Sequence, residues 1–111
     1  MKLKEKTYGG VRVISLDGTL LGEPEVSQLH EAISNVLIQK AQKKIVLDLR
    51  NVRYINSSGL GMLIGLLTSA RRQGGNLLLA GMNDHVESLF VVTRLVRVFR
   101  MYESVKRAVS S

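Results

Sequence analysis

Apolar positions along the chain change their period several times, and each change marks an element. Lys4–Tyr8 and Val11–Leu16 carry β-branched and alternating residues around Gly9-Gly10, which predicts two strands joined as a hairpin. Lys2, Lys4 and Lys6 alternate along the first strand, as on a sheet edge where lysines discourage further pairing. Asp17-Gly18 reads as a turn. Pro24 and Glu25 then suit a helix start, and Val26, Leu29, Ile33, Val36 and Leu37 recur at helical spacing. Lys40, Lys43 and Lys44 are expected to close that helix with charges favourable at its carboxyl end.

Ile45-Val46-Leu47-Asp48-Leu49 is a nearly unbroken apolar run, the pattern of a strand covered on both faces, and Leu77–Ala80 is a second. Between them, from about Ser58 to Gln73, Leu60, Leu63, Ile64 and Leu67 mark a helical stripe stopped by Gly74-Gly75. Strand, helix and strand at this spacing make a parallel βαβ unit. A helix over Asp84–Val92, a short strand near Val98–Met101 and a helix from about Glu103 complete the order ββαβαβαβα. An α/β fold, one mixed β-sheet with helices packed against it, buries all of these faces.

The 111 residues suit one domain, 1–111, since two cores of half this size would need staples, and there is no Cys to supply them. Two distant histidines, His30 and His85, are poor material for a metal site, and no cofactor is expected. The greasiest run, Gly59–Leu67, is less than half the roughly 20 residues a membrane-spanning helix needs, and the charged start is unlike a signal peptide. A cytoplasmic protein without membrane insertion is therefore expected. Sixteen basic against nine acidic residues give +7. The cations are scattered and no aromatic platform accompanies them, so a solvated basic surface is preferred over nucleic-acid binding.

The informative stretch runs from Val46 to Gly61: a buried strand, a short loop with Arg50 and Arg53, then Asn56-Ser57-Ser58-Gly59 at a helix start. One serine is explained as an N-cap, whose oxygen accepts an unpaired amide of the first turn. The second reading adds chemistry. A serine there sits where amides and the helix dipole favour an anion such as a phosphate, with Arg50 or Arg53 as candidate helpers. Both readings stand on the residues alone.

The run D-L-R-N-V-R-Y-I-N-S-S-G-L-G-M-L-I-G, from Asp48 to Gly65, resembles the signature of STAS domains, specifically single-domain anti-sigma factor antagonists. G-T-L at Gly18–Leu20, R-R-Q-G-G-N-L-L-L-A-G-M from Arg71 and T-R-L-V-R-V-F-R-M-Y from Thr93 extend the likeness over essentially the whole chain. The resemblance implies a regulatory switch rather than catalysis. Its partner would be an anti-sigma factor that is also a serine kinase of the histidine-kinase-like ATPase type. That kinase would phosphorylate Ser57, with Ser58 as second choice, and a PP2C-type phosphatase would reverse it.

Two positions depart from the family pattern: Asn56 replaces the usual Asp before the serine, and Leu21 replaces another Asp after G-x-L. The partner face is expected to comprise Leu21, Asn56, Ser57, Ser58, Gly59, Gly61, Met62 and Leu66, the last two lying off the Leu60 stripe. Gly59 and Gly61 would let a partner's active site approach the backbone, while Gly61, Gly65 and Ser69 also fit close packing of the helix on the sheet. The alternative is a STAS scaffold or transporter-associated subunit without the phosphate switch. An enzyme is not expected, because no nucleophile–base pair, metal-ligand set or phosphate-cradling loop of known spacing is present. Asp48, without a base beside it, is expected to serve turn hydrogen bonding.

Overall fold

A computed structural model describes residues 2–20, 24–38 and 44–111. It contains β1 (Lys2–Tyr8), β2 (Val11–Leu20), α1 (Glu25–Ile38), β3 (Lys44–Ile55), α2 (Ser57–Arg72), β4 (Asn76–Ala80), α3 (Asp84–Val92), β5 (Arg100–Tyr102) and α4 (Val105–Ser110). A one-turn 3-10 helix, Leu95–Arg97, leads into β5. The order is the expected ββαβαβαβα.

The sheet runs β1-β2-β3-β4-β5 in space. β1 is antiparallel to β2, and every later pair is parallel. Gly9 (φ +52°) and Gly10 (φ +84°) form the hairpin, a left-handed backbone that side chains resist. Lysine-studded β1 lies at the edge. Adding strands in one direction by right-handed crossovers places all crossover helices on one face. Accordingly Leu29, Ile33 and Leu37 of α1, Leu63 and Leu67 of α2, and Val86 and Phe90 of α3 pack with Ile14, Ile45, Leu47 and Leu79 in one core. On the other face α4 covers Val11, Val13, Val46 and Leu78 through Ala108.

Three local expectations change. Asp17-Gly18 is not a turn: β2 runs through it to Leu20, absorbing Gly18 (φ +129°) at register shifts against β3. That extension gives the polar stretch Arg50–Ile55 a partner strand, so the expected loop is the second half of β3. Lys44 does not close α1 but opens β3, where its Nζ donates to the carbonyls of Val109 and Ser111. Lys40, Lys43 and Leu21 lie outside the described residues.

Candidate functional site at the start of α2

β3 runs to within one residue of α2, and that residue is Asn56. Its backbone is extended (φ −99°, ψ −176°), its Oδ1 accepts the Gly59 amide at 2.9 Å, and its carbonyl accepts the Leu60 amide. Asn is as good an N-cap as Ser. The helix therefore begins one residue earlier than the serine-cap reading requires, and neither serine is the cap. Ser57 and Ser58 become the first two helical residues, and both are exposed. Among the described residues, the Ser57 hydroxyl takes part in no hydrogen bond. The first turn of α2 holds no acidic residue, so nothing on the helix itself offsets the positive end of its dipole.

The faces of α2 differ from the expected ones in three ways. Leu66 is only 2% exposed and belongs to the core with Leu60, Leu63 and Leu67, whereas Ile64 is 38% exposed. Met62 is partly buried against the same core. Gly59 is buried too, its amide engaged by the cap, so it offers no open backbone to a visitor. Finally, Gly61 and Gly65 do not serve packing of the helix on the sheet: a Cβ built at either would meet nothing within 4 Å. The accessible stripe is thus Ser57, Gly61 and Gly65 at spacing four, with Ile64 three residues after Gly61 on the same side of the helix.

A pair that no local pattern announces joins the end of β3 to α3. Tyr54, near the end of β3, stacks on His85 of α3 with ring centroids 5.6 Å apart and planes inclined by 23°. Both residues are exposed, as is His30 on α1. Asn83 fixes the approach of α3: its Oδ1 caps the helix through the Val86 amide, and its Nδ2 donates to the Val52 carbonyl of β3. Two asparagines thus start two helices off neighbouring strand ends.

Arg50 is not beside Ser57. It lines a cleft of about 700 Å³ on the opposite face of the sheet, with Lys4, Lys6, Ser15, Asp48 and Lys106. Arg53 is exposed on β3. Asp48, 7% exposed, accepts the Ser15 hydroxyl at 3.1 Å and the Arg50 amide at 3.1 Å. Its role is to hold β2 and the backbone of β3 together, in line with a hydrogen-bonding rather than a nucleophilic reading.

Comparison with known proteins agrees with this geometry. The STAS domain model matches residues 2–108. The chain belongs to the STAS domain family. This STAS chain is 26% identical over 105 residues to the anti-sigma F factor antagonist of Paenibacillus polymyxa, covering 94% of the chain and 88% of that relative. Its fold matches a crystal structure of an anti-sigma factor antagonist from Mycobacterium paratuberculosis with a TM-score of 0.82 at 20% identity, covering 98% and 91% of the two chains. It also matches the phosphorylated form of the Bacillus cell fate determinant SpoIIAA, with a TM-score of 0.73 at 21% identity, over 98% and 97% of the two chains. In the STAS chain the position before the first serine is Asn56, and its capping bond is one that an aspartate would also make.

Proposed function

We propose that the chain is an anti-sigma factor antagonist. It binds an anti-sigma factor of the serine-kinase type through the start of α2, frees the sigma factor, and is switched by phosphorylation of Ser57. The observation that carries this reading is the division of labour at the helix start. Asn56 makes the cap, so Ser57 presents a hydroxyl that has no structural duty, at the positive end of a helix with no acid in its first turn. The kinship with an anti-sigma F factor antagonist supports the same role.

In the forward step Ser57 Oγ attacks the γ-phosphorus of ATP. The bond from that phosphorus to the β–γ bridging oxygen breaks, ADP leaves, and the hydroxyl proton passes to a base of the kinase. The product carries nearly two negative charges at what had been a packed contact, and desolvating them disfavours the complex. A PP2C-type phosphatase restores the hydroxyl by hydrolysis, releasing inorganic phosphate. Nothing in this scheme asks the chain itself for catalysis.

The face also fits a partner that comes close. Gly61 and Gly65 leave the α2 backbone uncovered, and Ile64 supplies an exposed apolar side chain between them. Incubation with the cognate kinase and ATP, followed by intact-mass measurement, tests the switch. One phosphoryl group is expected on the wild type and none on Ser57→Ala. Transfer that persists undiminished in Ser57→Ala would move the site, in the first instance to Ser58.

A further inference from the structure

We infer that the turn joining α3 to β5 is a docking face for an anionic membrane surface. From Ser88 to Tyr102 the sequence has no acidic residue and three arginines. Within it Val91 (56% exposed), Val92 (79%), Val96 (38%) and Val98 (39%) all present side chains to solvent, with Arg94 and Arg97 exposed between them. Four exposed valines within eight residues set apolar side chains close in sequence to these arginines. Among the described residues no carboxylate pairs with either arginine.

The neighbouring elements add charge of the same sign. Arg71, in the last turn of α2, donates to the Val98 carbonyl at 3.2 Å, and exposed Arg100 opens β5. Among the described residues Arg94 is the one non-glycine residue held in the left-handed region (φ +63°, ψ +17°), a conformation glycine or asparagine would adopt more readily. An arginine kept there at the cost of backbone strain fits a position where the cation itself is used.

Two features favour a bilayer over an acidic protein. The valines sit on a helix end and a 3-10 turn, and none of them lines the cleft that holds Arg50 and Asp48. A lipid interface deforms around exposed side chains and needs no complementary shape, which a folded protein partner would have to supply. Arginines framing short aliphatic side chains also match an anionic headgroup layer over an apolar interior, with the basic groups drawn by the surface potential. No described helix is long and apolar enough to cross a membrane, so the association is interfacial. Arg71 lies fourteen residues along α2 from Ser57, about 20 Å at 1.5 Å per residue. The lipid-facing end and the start of α2 are therefore far enough apart to be occupied together.

Co-flotation of the full chain with vesicles tests the inference without any protein partner. Vesicles of equal parts phosphatidylglycerol and phosphatidylcholine are expected to carry the chain up the gradient at low salt, and pure phosphatidylcholine vesicles are not. Arg94→Gly suits the left-handed backbone and keeps the fold. Combined with Arg97→Ser it should weaken binding about 25-fold, about fivefold for each charge. Val91→Ser with Val92→Ser should weaken it several-fold at unchanged net charge. The triple variant Lys2→Ser, Lys4→Ser, Lys6→Ser removes more charge at the far edge of the sheet and should bind nearly as the wild type. Loss in that triple variant equal to the arginine loss would assign binding to net charge and overturn the docking face. Absence of binding to the anionic vesicles would also overturn it, leaving the patch to an acidic protein.

Discussion

Asn56 Oδ1 accepts the amide of Gly59 at 2.9 Å, and that bond relieves the adjacent Ser57 of any structural role. Replacing Asn56 by Ala should therefore cost about 1 kcal/mol of stability, the usual worth of an N-cap. Ser57→Ala should change stability by less than about 0.5 kcal/mol, as exposed substitutions do. Urea denaturation reads both as shifts in midpoint at constant slope. The reverse ranking would hand the cap to the serine and leave it less free to be modified.

A phosphate on Ser57 would lie at the positive end of α2, where no carboxylate of the first turn competes. The phosphorylated chain should be more stable than the unmodified one by about 0.3–1 kcal/mol at low ionic strength, even as it loses its partner. Asn56→Asp keeps the cap but places a like charge next door, so the gain on phosphorylation should shrink. Thermal melting of the four forms checks this, and a lower melting temperature on phosphorylation of the wild type counts against it.

Asp48 lies on the other face of the sheet and should behave as a structural residue only. Asp48→Ala would leave the Ser15 hydroxyl and the Arg50 amide without their acceptor. Two part-buried hydrogen bonds at about 0.5–1.5 kcal/mol each make the loss about 1–3 kcal/mol. Affinity for the anti-sigma partner, measured on the fraction still folded, should be unchanged. A variant that stays fully stable but stops binding would place Asp48 in the interface instead.

The order of elements was legible because it depends on period: the glycine hairpin, the stripe of α1 and the apolar centre of β3 each announce themselves. Three features were not, for separate reasons. Arg50–Ile55 is polar because four of its six residues face solvent, and only its pairing with β2 from Asp17 onward makes it a strand. Ile64 and Leu66 fit a helical stripe equally well. Which of them is buried depends on how α2 is rotated against the sheet, a tertiary fact absent from the local pattern. Tyr54 and His85 meet across 31 residues, and no spacing rule joins them. At the site itself Ser57 was legible, but its freedom was not. That rests on Asn56 capping the helix, and Asn, Ser and Asp are nearly equal in this role.

Gly61 and Gly65 separate the stability of the chain from its use. Glycine inside a helix is less favourable than alanine by about 0.8–1 kcal/mol. Here no packing compensates, since a Cβ at either position would meet nothing within 4 Å. Gly61→Ala and Gly65→Ala should each stabilise the free protein by close to that amount, and together they should raise the melting temperature by several degrees. If α2 is the surface against which a partner packs, the same methyl groups would stand in the contact and hold the two backbones apart. The double variant should then bind the anti-sigma factor more weakly, by tenfold or more for about 1.4 kcal/mol of lost contact. Titration calorimetry beside a thermal melt gives both numbers from one preparation. A variant that is more stable and binds as well as the wild type would show that the partner does not approach α2 along this stripe.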